Sequence, residues 1–153
     1  MIDPFRPGVL EKLKLGPKEL RQLNKRVILL RVSGYGQSGP NKLRPGHDLN
    51  YVSVSGMLPL INRKDDYQFP SNYAADFVSA SLGITGVLGA LHKREQTGEG
   101  GEVDCSLTNG CTYFAQNMIE ASKNINEKKL KVKTYKIGEK EYVATGEDAL
   151  HLN

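Results

Sequence analysis

The chain has 153 residues, of which 39% are hydrophobic and 25% charged. That balance suits one soluble globular domain and excludes a disordered or low-complexity polymer. Its two cysteines, Cys105 and Cys111, are too few for a disulfide framework and lack the CxxC spacing or neighbouring histidine of a metal site. The formal net charge of +4 suits a phosphate-bearing ligand, although most of the lysines read as a solvated surface. No signal-peptide pattern opens the chain. The best apolar run, residues 82–91, is broken by Gly83, Gly86 and Gly89, so no membrane span is expected.

Residues 1–8 are extended, because Pro4 and Pro7 both oppose helix. Residues 17–24 read as a short helix, with Pro17 in its first turn. Residues 26–33 contain Val27-Ile28-Leu29-Leu30 and then Val32, a buried-strand pattern. Helix followed by buried strand predicts an α/β fold with parallel pairing. Residues 34–45 form a loop rich in Gly, Pro, Asn and Ser. Residues 47–59 are ambiguous: Asp48 is placed to cap a helix, yet 51–54 alternates like a strand.

Residues 76–96 predict the clearest helix. Phe77, Ala80, Ile84, Val87, Leu88 and Leu91 fall on one stripe, expected to face the core. Lys93 and Arg94 suit its C-terminus and Gly98 its stop. A brief strand at 102–105 and a helix at 106–121, capped by Ser106, follow. Residues 122–133 are charged and linker-like, and 135–143 reads as a hairpin.

Five segments stand out: Ile2-Asp3-Pro4-Phe5-Arg6-Pro7-Gly8, Gly34-Tyr35-Gly36-Gln37-Ser38-Gly39-Pro40, Gly46-His47-Asp48-Leu49-Asn50-Tyr51, Ala75-Asp76-Phe77, and Lys93-Arg94 through Thr97-Gly98-Glu99-Gly100. Singly, each has an ordinary explanation. Arg6 is as easily a surface charge as a phosphate ligand. A lone histidine is more often structural than catalytic, and an aspartate at a helix start more often a cap. The glycine loop is no dinucleotide fingerprint, since it leads into more loop. Thr97 to Gly100 is usually only a helix stop.

Order and spacing carry more. The five segments, in this order, resemble the class III CoA-transferase (CaiB/BaiF) family over residues 1–121, and more weakly over 134–146. Gly46-His47-Asp48 is similar to the alpha-methylacyl-CoA racemase branch. The resemblance implies a partial Rossmann-like large domain (1–121), mostly parallel sheet with packed helices, then a linker (122–133) and the start of a second domain (134–153). It implies epimerisation of 2-methyl-branched acyl-CoA thioesters by 1,1-proton transfer, with His47 and Asp76 as the two acid–base groups. Phe5, Arg6 and Lys12 would lie near the CoA moiety, and Gly46, His47, Asp48, Leu49, Asn50 and Tyr51 would line the acyl-CoA site. It also implies no separate cofactor, CoA being part of the substrate, no metal, no nucleic acid, and a peroxisomal or mitochondrial location.

The chemistry agrees with that assignment. Inverting a centre beside a thioester carbonyl needs one group to take a proton from one face and another to deliver one to the opposite face. The alternatives are a CoA-transferase, with Asp76 as a nucleophile forming an acyl anhydride, and an inactive CoA-binding remnant.

Two departures from the family are visible. Its aspartate is usually followed by several glycines, whereas Val78, Ser79, Ala80 and Ser81 stand here, with the expectation that their Cβ atoms crowd the thioester. Met1 falls where an interior residue is expected and the chain stops as the second domain should begin. An interior portion of a longer enzyme is therefore expected, with little activity alone. The family forms interlocked homodimers, and the segments that wrap one chain round the other are not expected in this one.

Overall fold

The computed structural model describes residues 1–61, 73–124, 132–137 and 140–145. The chain divides into two compact units, Met1–Gln116 and Asn117–Asn153.

The first unit is built on three parallel strands in the order β1 (Ile2–Asp3), β2 (Ile28–Ser33), β3 (Gly101–Ser106). Leu30 lies opposite Ile2 on one side and Val103 on the other. The central strand is buried on both faces, as a continuous Ile-Leu-Leu run requires. One face carries Leu29, which packs with Leu10 of α1 (Val9–Lys12) and Leu20 of α2 (Pro17–Leu23). The other carries Leu30, which meets α5 (Ala74–Thr97). Between β2 and α5 lie α3 (Asp48–Val54) and α4 (Leu58–Ile61). The ambiguous segment at 47–59 thus holds helix and not strand. The predicted parallel pairing of β2 with β3 and the long covering helix are both present.

Two sequence expectations are corrected. The first concerns the face that α5 buries. Its large side chains stay exposed: Phe77, Ile84 and Leu88 are 68%, 62% and 61% exposed. Ala75, Ser79 and Gly83 are buried instead. A Cβ on Gly83 would sit 3.5 Å from Leu30 Cδ1 and Cys105 Sγ, and one on Gly86 only 2.7 Å from Val103 Cγ1. Small residues let the helix backbone approach β2 and β3 closely, and that approach, not side-chain bulk, sets which face turns inward. Ile84, Val87, Leu88 and Leu91 line an apolar groove of about 680 Å³ with Ile2, Ile28 and Leu30. The second concerns membranes. The glycines do not interrupt α5, which is long and apolar enough to cross a bilayer by length and composition alone. Here it covers the sheet.

Helix α6 (Leu107–Asn124) starts directly after β3, and Ser106 caps it as predicted: its Oγ accepts from the Asn109 N–H at 3.2 Å. In the second unit β4 (Val132–Ile137) and β5 (Lys140–Thr145) pair antiparallel, the expected hairpin. Residues 125–131, most of the expected linker, lie outside the described residues.

Candidate active site

The candidate residues gather beyond the C-terminal ends of the strands, where open α/β sheets place their ligands. Asp3, at the end of β1, organises the first loop. Its Oδ2 pairs with Arg31 Nε at 3.0 Å, and its Oδ1 accepts from the Phe5 N–H at 3.0 Å. Arg31 also reaches Glu11 of α1 at 2.8 Å and Glu102 of β3 at 3.3 Å. The loop carrying Phe5 and Arg6 is therefore fastened to the sheet by a buried ion pair within a partly exposed charge network.

The glycine loop after β2 is fastened in the same manner. Ser33 Oγ accepts from the Gly36 N–H at 3.1 Å, and Asp104 Oδ2 accepts from the Gln37 N–H at 3.1 Å. The Gly34 carbonyl accepts from both the Thr108 N–H and its hydroxyl at the start of α6. Tyr51 closes the floor. Its ring packs edge-on to Tyr35 at 5.2 Å and lies against Gly34 and Gly46 so closely that neither position has room for a Cβ. Burial, then the nearby Tyr35 and Asp76, push the Tyr51 phenol above its ordinary pKa, with Arg6 opposing. The phenol stays protonated at neutral pH and donates to the Gly46 carbonyl at 2.6 Å.

These loops enclose a cleft of about 240 Å³ that includes Phe5, Arg6, Lys42, Arg44, Gly46 and Tyr51. Three cations round one small polar cleft can grip a phosphate or another anion.

His47 sits beside Gly46 as the N-cap of α3, and its own N–H donates to Asn50 Oδ1 at 2.9 Å. Asp48, which was expected to be a cap for its own helix, is instead the first residue of α3. Its carboxylate reaches across to α5, where Oδ1 accepts from the Ala75 N–H at 2.7 Å and the Asp76 N–H at 3.2 Å. The two candidate acid–base residues are thereby joined: one precedes Asp48 in sequence and the other is hydrogen-bonded to it. Partial burial, then the Asp48 charge, raise the Asp76 carboxyl above its ordinary pKa. His47 and Asp76 are both exposed, so a substrate can reach them.

The remaining predicted positions fall as follows. Leu49 is half-buried and Asn50 exposed on α3. Lys12 is exposed at the end of α1 and is not among the residues lining the cleft. Of the residues that replace the expected glycines, Ser79 is turned onto α6: its hydroxyl donates to the Leu107 carbonyl at 3.4 Å, against Gly110. Ser81 donates to the Phe77 carbonyl of its own helix. The fifth motif lies at the other end of the sheet. There the Gly98 N–H closes α5 onto the Arg94 carbonyl, and the Gly100 and Gly101 N–H groups bond to Lys25 and Val27 to start β3 beside β2.

A sequence model of CoA-transferase family III matches residues 1–151. The chain belongs to CoA-transferase family III. Its relatives within the family include enzymes of two kinds. It is 39% identical to the alpha-methylacyl-CoA racemase of Homo sapiens, over 80% of this chain and 33% of that protein. It is 43% identical to the succinyl-CoA–L-malate CoA-transferase beta subunit of Chloroflexus aurantiacus, over 79% of this chain and 30% of that protein. In three dimensions it is similar to a hypothetical protein of Mycobacterium tuberculosis, with a TM-score of 0.76 and 28% identity, covering 94% of this chain and 40% of that one. The chain spans less than half the length of the curated relatives it matches.

Sequence reasoning on this family III chain missed Lys42 and Arg44. Their signal was present: two cations inside a Gly/Pro loop, just before the Gly46 motif. It also missed the bond from Asp48 to α5, which no local signal announces, since the partners are 27 and 28 residues apart.

Proposed function

We propose that this chain carries the acid–base pair of an alpha-methylacyl-CoA racemase-type enzyme, acting on 2-methyl-branched acyl-CoA thioesters. The observation that carries this reading is the Asp48 carboxylate, which ties the His47 segment to the first turn of the Asp76 helix. The pair consists of one imidazole and one carboxyl whose proton affinity is raised, the complementary couple that two-face proton transfer requires. One group removes the α-proton. The electron pair moves onto the thioester oxygen as an enolate, and the other group returns a proton to the opposite face. Backbone N–H groups at the start of α3 would be the donors for that oxygen. Arg6, Lys42 and Arg44 would hold CoA phosphates, with Tyr51 shaping the floor between them and the acyl end.

The CoA-transferase reading keeps Asp76 as nucleophile and is supported by the transferase relatives. It gives His47 no task. Grafting residues 1–121 into a full-length family member and supplying a chiral 2-methylacyl-CoA in heavy water separates the two. Deuterium entering the α-carbon with inversion, the inversion abolished by His47→Ala and by Asp76→Ala, supports the racemase. Transfer of CoA to an added carboxylic acid without α-exchange would overturn it.

A further inference from the structure

We infer that Asp48 is a positioning residue, whose carboxylate clamps the first turn of α5 to α3 and so fixes where Asp76 stands relative to His47. The inference rests on the roles proposed for His47 and Asp76 and deepens them. The first N–H groups of a helix have no partner within it. In α5 two of these, on Ala75 and Asp76, are taken by one oxygen, Asp48 Oδ1, at 2.7 and 3.2 Å. The N-cap position itself, Tyr73, supplies no side-chain bond. The cap of α5 is thus borrowed from another helix, and it comes from the residue next to His47. A charged acceptor at this place is also matched to the helix dipole.

The same carboxylate acts electrostatically. After burial, the Asp48 charge is what raises the Asp76 pKa. Among the described residues, the titratable groups around the pair are Tyr51 on α3, which feels Asp76, Tyr35 and Arg6, and Cys111 on α6, which feels both Asp48 and Asp76. His47 adjoins it in sequence. Holding Asp76 in place and keeping its proton affinity high are therefore two consequences of one side chain.

The two consequences separate by substitution. In Asp48→Asn the side-chain oxygen remains to accept both N–H bonds but the charge is gone. In Asp48→Ala both are lost. The test is amide hydrogen exchange at Ala75 and Asp76, together with the carboxyl titration of Asp76 by NMR, on the 153-residue chain without substrate. Asp48→Ala should speed exchange at both amides by about tenfold or more, as expected for losing a hydrogen bond to a charged group. Asp48→Asn should leave exchange near wild type while moving the Asp76 midpoint to lower pH. That second readout is one a purely structural cap would not shift, and it survives if Asp48→Ala does not fold. Unchanged exchange in Asp48→Ala, or an unmoved Asp76 midpoint in Asp48→Asn, would overturn the inference. Neither measurement needs turnover, so failure here is distinct from failure of the racemase reading, which the α-proton exchange test decides.

Discussion

Arg31 and Asp3 form an ion pair at 3.0 Å with side chains only 5% and 0% exposed, and that pair couples the middle of the sheet to the loop bearing Arg6. Removing one member leaves the other buried and uncompensated. Arg31→Met should cost about 3–5 kcal/mol of stability, read by urea unfolding. The double substitution Arg31→Met with Asp3→Leu should recover part of that loss, because no buried charge remains. Glu11 adds a pH signature. Its hydrogen bond to Arg31 holds its carboxyl below the ordinary value of 4.5 despite some burial. A depressed folded-state pKa contributes stability above the unfolded value and loses it as pH falls through the folded one. Glu11→Gln should therefore flatten the stability profile below about pH 4.5 and leave its slope at neutral pH unchanged. An unaltered acid limb would show that the pair is idle.

Arg6 lines the cationic cleft with Lys42 and Arg44. Arg6→Ala is expected to weaken CoA binding by roughly 1–3 kcal/mol, measured by calorimetric titration. The loss should shrink as salt is raised, since the cleft is open to solvent. Equal affinity for wild type and variant would make Arg6 a plain surface charge.

The small-residue face of α5 makes a contrast between two glycines. At Gly86 a Cβ would stand 2.7 Å from Val103, whereas at Gly89 it would meet nothing within 4 Å. Gly86→Val should destabilise by about 1–3 kcal/mol through overpacking against β3. Gly89→Ala should stabilise by roughly 0.4–1 kcal/mol, because it restricts the unfolded chain at a compatible helical site. Thermal melts of the two variants moving in the same direction would contradict the assigned packing face.

Both cysteines are buried, Cys111 completely. Burial, then the Asp48 charge, push the Cys111 thiol up to about 11, and burial also raises Cys105. Thiolate is the reactive form, so neither should react with a thiol reagent at about pH 8 in the native protein, and both should react in denaturant. Rapid native labelling would place at least one of them at the surface.

Patterns confined to a few neighbouring residues were legible in the sequence. The Ile28 to Leu30 run reads as a buried strand, and it is one. Pro17 opened a helix, Ser106 capped one, and Gly98 ended one, because each act depends on a residue's own backbone or on a partner three or four positions away. The order of the motifs was enough to identify the family. The sequence could not say which way α5 turns. Periodicity counts bulk, and the tertiary structure instead buries the side on which Ser79, Gly83 and Gly86 let two backbones approach. Nor could it place Lys42 and Arg44 round the same cleft as Arg6, or lend Asp48 to a helix that begins 26 residues later. A carboxylate's partner is whichever unpaired N–H the fold brings within about 3 Å, and that distance exists only once the chain has folded.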